Sequence, residues 1–113
     1  MQVMDALGDP VRRRLVELLA DGGRSAGQLA SAVGAEFGIS QPAASRHLRV
    51  LREAGVVDSV PHGAVRLYSV RPEALDEVEV WARRIRRFWD GHLDALETEV
   101  ARGARKRRMR DDD

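Results

Sequence analysis

The chain of 113 residues contains no cysteine, which excludes disulfide bonds, thiolate metal sites and cysteine nucleophiles. It also has no apolar run near the ~20 residues that a membrane-spanning helix needs, and no secretory leader at its start. We therefore expect a protein of the cytoplasm that has no membrane partner.

Neither positively nor negatively charged residues are in clear excess. The 19 basic and 18 acidic residues leave a formal net charge of +1, so the placement of the charges matters more than their total. With 43% hydrophobic and 33% charged residues, the composition is ordinary for a soluble protein. The length predicts one domain with a modest core.

Residues 39–55 predict a short amphipathic helix around which the rest of the chain is organised. Ser40 is a favourable N-cap, and Pro42 fits the first turn, where its missing N–H has no cost. Gly55 ends the helix in a left-handed conformation. The apolar stripe at helical spacing consists of Ala44, Leu48 and Leu51.

The other side of this helix is polar and basic. Glutamine and arginine are the side chains that read base edges in the DNA major groove with paired hydrogen bonds, so this surface suits DNA. The alternative is an ordinary surface helix with solvated arginines. The candidate DNA contacts in this segment are Ser40, Gln41, Ala43, Ser45, Arg46, His47 and Arg49.

A second predicted helix precedes this one. Ser25 and Gln28 have the spacing of a capping box, in which each side chain accepts a hydrogen bond from the other residue's backbone N–H. Gly38 breaks the helix. Two short helices joined by a glycine-containing turn, the second with a basic face, outline a helix-turn-helix. The predicted buried side of the first of these helices consists of Leu29, Ala30, Val33 and Phe37.

Two further helices are predicted at the start of the chain. Met4 and Leu7 belong to a short one, and Asp9-Pro10 caps and opens another, which ends at the glycine pair after Asp21. The apolar stripe of the longer helix consists of Val11, Leu15, Leu18 and Leu19. Three arginines lie beside this stripe, and we interpret them as a solvated flank in preference to phosphate contacts: Arg12, Arg13 and Arg14.

The pattern changes from helical to extended after Gly55. Residues 56–60 and 65–70 are rich in residues that favour strands and flank a turn at residues 61–64, so they predict a β-hairpin. A hairpin directly after such a helix is a wing, whose tip can reach the DNA backbone or a minor groove. His62 and Arg66 are the candidates for that contact, and the alternative for His62 is an exposed turn histidine without a role.

Pro72 opens the longest helical pattern, which extends to about Val100. Apolar residues recur along it in steps of three and four, and they include both tryptophans. At ~1.5 Å per residue the helix spans roughly 40 Å, more than a small domain needs. We therefore predict that it pairs with a second copy in a homodimer, with packing across the back of the monomer as the alternative. The predicted dimer residues on this helix are Leu75, Val78, Trp81, Ala82, Ile85, Phe88, Trp89, Leu93 and Leu96.

Residues 102–113 contain a basic cluster followed by three aspartates. Blocks of like charge at a chain terminus are typically solvated, so we expect a charged, disordered tail. Residues 1–101 then form a single DNA-binding and dimerisation domain.

Three segments together resemble the ArsR/SmtB winged-helix transcriptional repressors. They are residues 6–19 (ALGDPVRRRLVELL), residues 40–55 (SQPAASRHLRVLREAG) and the hairpin that contains Tyr68. The resemblance implies a homodimer that binds a palindromic operator in double-stranded DNA through the helix of residues 40–54. It also implies release of the DNA by an effector, and dimer contacts through the first helix, at Met4 and Leu7, as well as the last.

The sequence departs from this family in two places. Residues 35–38 are extra residues before the usual turn, and we expect them to lengthen the third helix by about one turn. Metal-sensing members use cysteines, or Asp, His and Glu ligands on the last helix. Asp90-Gly-His92 matches only half of that second set, and a zinc site needs at least three protein ligands, so we expect neither a metal site nor a cofactor.

These features predict a mostly α-helical winged helix-turn-helix with a β-hairpin wing and a long C-terminal dimerisation helix. The predicted function is a sequence-specific homodimeric repressor. An enzyme is not expected, since the three histidines are scattered and no paired carboxylates or nucleophile elbow accompany them. The alternative is a winged helix that serves as a protein-interaction module without specific DNA binding.

Overall fold

The computed structural model describes residues 2–111, with side chains described for residues 2–103. The elements in this part of the chain are α1 Gln2–Ala6, α2 Pro10–Leu18, β1 Arg24–Ser25, α3 Ala26–Phe37, α4 Gln41–Glu53, β2 Val57–His62, β3 Val65–Val70 and α5 Pro72–Asp111. The predicted fold class, mostly helical with a hairpin and a long last helix, is confirmed. The chain divides into two units after Val78. The predicted domain of residues 1–101 therefore covers the first unit and part of the second.

Side chains cap the first turns of α2, α3 and α4, as the sequence predicted. The Asp9 carboxylate accepts hydrogen bonds from the backbone N–H groups of Val11 at 2.8 Å and Arg12 at 3.2 Å. Ser25 and Gln28 form the complete capping box of α3, with N···O distances of 3.2 and 3.0 Å. Each cap satisfies N–H groups that have no partner within the helix, so it fixes the residue at which the helix begins.

The core of the first unit lies between α2, α3, α4 and the start of β2. Leu15, Leu29 and Leu51 come from the three helices and are fully buried, and Val56 and Val57 close the core beside the sheet. Each fully buried aliphatic side chain contributes about 1.5–3 kcal/mol, so these contacts hold α4 firmly against α2 and α3.

Phe37 is a correction to the predicted core. It is the last residue of α3 and is 39% exposed. Its neighbours on α2 include Arg13 and Glu17, which border the same surface depression. Helical spacing placed Phe37 on the buried side, but the adjoining part of α2 carries mainly charged side chains, and the ring is covered only in part.

The sheet has three antiparallel strands in the order β1-β3-β2. The hairpin is tighter than predicted, because β2 extends through Pro61 and His62 and leaves a two-residue turn. Gly63 has a φ of +62°, a conformation that such a turn requires at its first position. Strand β1 was not predicted; its two residues pair with Tyr68 and Leu67.

The last helix, α5, extends to Asp111 and does not end near Val100 as predicted. Helical backbone therefore covers most of the segment that was expected to be a disordered tail. The prediction for Asp112 and Asp113 lies outside the described residues. Alanine, arginine, lysine and methionine make up most of residues 101–110, and because these are strong helix formers the helix continues.

Candidate nucleic-acid interface

A three-residue connection sets α4 against α3. Gly38 has a φ of +67°, and its N–H donates to the carbonyl of Gly34 at 2.9 Å, so the chain leaves α3 through a left-handed turn. Ile39 packs against the core, and Ser40 opens α4 by accepting a hydrogen bond from the Ala43 N–H at 3.3 Å. The two helices thus form the predicted helix-turn-helix, with α4 as its second helix.

The surface of α4 divides into a buried stripe and an exposed front. The stripe of Ala44, Leu48 and Leu51 is at most 2% exposed. The front consists of four exposed polar residues: Gln41, Ser45, Arg46 and Arg49. From the first to the last of these, the helix rises about 12 Å, which matches the ~12 Å width of a major groove. Because the stripe is buried in the core, α4 cannot rotate the front away from the surface.

The hairpin β2–β3, the wing, carries the two other predicted contacts, and both are exposed. The Arg66 Nε donates to Ser59 Oγ at 3.1 Å, and its Nη2 donates to the Ser59 carbonyl at 3.4 Å. These bonds hold the arginine across the hairpin and leave further N–H donors on its guanidinium. The strand register places Arg66 and His62 in the two pairs nearest the turn. Both side chains therefore lie near the tip of the wing.

His47 and Ala43 differ from the other predicted contacts, because they are half-buried on the side of α4 next to α2. Arg12 of α2 reaches this side of α4. Its Nη1 lies 3.3 Å from His47 Nδ1, and its Nε donates to the carbonyl of Ala6 at the end of α1. The interpretation of Arg12 as part of a solvated flank was therefore wrong: this arginine bridges three helices.

Asp9 is the acidic neighbour of this bridge. Partial burial raises the pKa of its carboxyl group. Hydrogen bonds from the backbone N–H groups of Arg12 and Val11, together with the positive charge of Arg12, outweigh that effect and hold the pKa below its ordinary value of 3.8. The carboxylate is therefore ionised at neutral pH, and its Oδ1 accepts both backbone hydrogen bonds at the start of α2.

Sequence comparison places this architecture among transcriptional regulators. Residues 7–60 match the helix-turn-helix domain family. The chain is 38% identical over 98 residues to the HTH-type transcriptional regulator Rv2034 of Mycobacterium tuberculosis, covering 83% of this chain and 85% of that protein. It is 34% identical over 79 residues to the transcriptional repressor SdpR of Bacillus subtilis, covering 70% of this chain and 83% of the repressor.

A solved structure agrees with this result. It is the homodimeric winged helix-turn-helix DNA-binding domain of Mb0332 from Mycobacterium bovis, a possible ArsR-family transcriptional regulator, with a TM-score of 0.59, 25% identity and 74% of each chain covered. The present chain belongs to the ArsR-type winged helix-turn-helix transcriptional regulators. Its biochemical class is therefore that of a DNA-binding regulator of transcription.

The α5 helix of this ArsR-type regulator has an extensive exposed apolar surface. Every residue from 79 to 102 is exposed, and Phe88 and Trp89 are 74% and 58% exposed. Apolar patches of this kind typically mark interaction sites. Of the predicted dimer residues, Met4, Leu7 and Val78 are half-buried, and those on the surface are Leu75, Trp81, Ala82, Ile85, Phe88, Trp89, Leu93 and Leu96.

The Asp90-Gly-His92 segment of this ArsR-type regulator lies on α5. The ring centroid of His92 is 5.9 Å from that of Trp89. Within the described residues, no three His, Asp or Glu side chains lie close enough together to hold a metal ion. None of the helices described here has a stretch long and apolar enough to cross a membrane.

Arg12 is the residue of this surface that the sequence analysis missed. It is separated from His47 by 35 residues, so no local pattern connects the two. The one available signal was its position within the first turn of α2, directly after the buried Val11, from which a long side chain can reach a neighbouring helix.

Proposed function

We propose that this regulator is a homodimeric repressor that binds an inverted-repeat operator, with α4 in the major groove and the wing on the DNA backbone. The observation that carries the proposal is the exposed polar front of α4, held opposite a fully buried stripe. Gln41 and Arg46 belong to the residue types that make paired hydrogen bonds with adenine and guanine. Residues 1–101 carry DNA binding and dimerisation, and the protein acts in the cytoplasm without a metal or cofactor.

A second copy of the chain completes the site. The exposed apolar surface of α5 and the homodimeric state of the Mb0332 domain both support dimerisation. A two-fold dimer presents two α4 helices, so its DNA site is an inverted repeat whose half-site centres lie about one helical turn, roughly 10–11 base pairs, apart. The relative SdpR is a repressor, which favours repression over activation. We further propose, from the family resemblance, that an effector releases the DNA.

Alanine variants of the α4 front test this assignment by fluorescence anisotropy on an operator duplex and a scrambled copy. Gln41→Ala and Arg46→Ala should each cost about 1–3 kcal/mol on the operator and little on scrambled DNA, because base contacts carry the specificity. Arg66→Ala should weaken both duplexes alike and reduce the salt dependence by about one unit of slope per copy, because phosphate contacts carry no sequence information.

Arg84→Ala provides the matched control, because Arg84 is an exposed arginine outside α4 and the wing. It should leave both affinities unchanged. A protein-interaction module would instead bind both duplexes weakly and equally, and none of these variants would change its affinity. Equal affinity of the wild-type protein for the two duplexes would contradict the proposed function.

A further inference from the structure

A small surface hollow lies between α2 and the side of α4 next to its polar front. Its volume is about 150 Å³, and it is lined by Arg12, Ala43, Arg46, His47 and Val50. At ~30 Å³ per water molecule, the hollow has room for about five waters, enough for a tetrahedral anion of five heavy atoms. The lining combines two arginines and a histidine with two apolar side chains.

The donors of this hollow are held in place. Arg12 donates from Nε to the Ala6 carbonyl and is half-buried, so its guanidinium has a fixed orientation. Arginine has no acceptor, so in the 3.3 Å contact the His47 Nδ1 must accept. The hydrogen of the neutral ring is then on Nε2, which can donate to a ligand. Asp9, the nearby acid, already accepts from Val11 and Arg12 backbone groups.

We propose that this hollow seats a phosphate of the DNA backbone, bound by Arg12 and His47 beside the base-reading front. The proposal rests on the proposed function and adds a contact from α2, which the helix-turn-helix pattern alone does not supply. Arg46 favours DNA over a free anion as the ligand, because it belongs both to the front of α4 and to the lining of the hollow. A DNA strand whose bases contact the front of α4 therefore has its phosphates close to Arg12. Half to two-thirds of protein–DNA hydrogen bonds go to phosphate and sugar groups.

Arg12→Gln and Arg13→Gln form a matched pair, because the two arginines are adjacent but only Arg12 lines the hollow. Arg12→Gln should weaken binding to operator and scrambled DNA alike by roughly ten-fold or more, as loss of a charge-assisted hydrogen bond does. The salt dependence should fall by about 0.9 unit of slope per copy. Arg13→Gln should match the wild type. An unchanged slope in Arg12→Gln would overturn the proposal, even if the affinity falls.

A methylphosphonate scan of the operator locates the contact. Replacing one particular phosphate in each half-site should weaken the wild-type protein but have no further effect on Arg12→Gln. If the thermal transition shows that Arg12→Gln does not fold, His47→Gln provides the same comparison. Replacing the contacted phosphate should then weaken DNA binding less in His47→Gln than in the wild type. A scan with identical profiles for wild type and variant would show that Arg12 only supports the packing of α1 and α4, which overturns the proposal.

Inorganic phosphate distinguishes DNA from a free anion as the ligand. The NMR signals of the His47 ring are followed as inorganic phosphate is added to the DNA-free protein. Saturation below millimolar concentration, combined with a methylphosphonate scan that is unchanged by Arg12→Gln, would assign the hollow to a free phosphorylated ligand and overturn the DNA assignment. The test is also separable from the proposed function. If the wild-type protein binds DNA without sequence preference, Arg12→Gln can still reduce the salt dependence of that binding.

Discussion

Truncation of Trp89 on α5 should dissociate the dimer. The side chain is 58% exposed in one copy, and a covered tryptophan buries up to about 250 Å², so about 145 Å² remains for a partner to cover. At ~25 cal/mol per Å², burial of this area contributes about 3–4 kcal/mol per copy to the free energy of dimer association. Trp89→Ala affects both copies, and a loss of even 3 kcal/mol in total raises the dissociation constant about 100-fold.

Sedimentation equilibrium across a micromolar concentration range measures this change. Val80→Ala is the matched control, because Val80 is also an exposed apolar residue of α5 but lies two and a half helical turns before Trp89, on the opposite side of the helix. The wild type and Val80→Ala should be dimers, and Trp89→Ala should shift toward monomer. A monomeric wild type, or equal dissociation constants for the two variants, would refute the assignment of the α5 surface to dimerisation.

Two further predictions concern the cap of α2 and metals. Asp9→Ala should lower the free energy of unfolding by about 1 kcal/mol at neutral pH. Because the native pKa of Asp9 lies below its ordinary value of 3.8, this stabilisation is present above that pH and is lost as the pH falls through the native pKa; a urea-midpoint difference that stays constant down to pH 2 would contradict it. Zinc, nickel and cadmium at stoichiometric concentration should not release the protein from DNA, and a tight calorimetric signal that disappears in His92→Ala would show that Asp90 and His92 belong to a metal site.

The sequence predicts those parts of the fold that depend on neighbouring residues. Ser25 with Gln28 and Ser40 with Ala43 form caps within three residues, and Gly38 ends α3 by its own conformation. Such features are local and appear directly in the order of the residues. The polar front of α4 can also be predicted from the sequence, because it consists of helix positions outside an apolar stripe at helical spacing.

Other parts depend on residues far apart in the chain or on competing tendencies. Strand β1 exists because two residues meet β3 more than forty positions later, and a two-residue strand has no periodicity of its own. Arg12 reaches His47 only after α2 and α4 have packed together. In residues 101–111, like-charge repulsion opposes the high helix propensity of the side chains, and the backbone there is helical.

The central claim is that two copies read an inverted repeat through α4. Selection of the wild-type protein on a pool of randomised DNA duplexes tests it most directly, since no operator needs to be known beforehand. The enriched sequences should share two inverted half-sites with centres about one helical turn, roughly 10–11 base pairs, apart. Enrichment of no common sequence would contradict sequence-specific binding, and enrichment of a single half-site without symmetry would contradict the two-fold dimer.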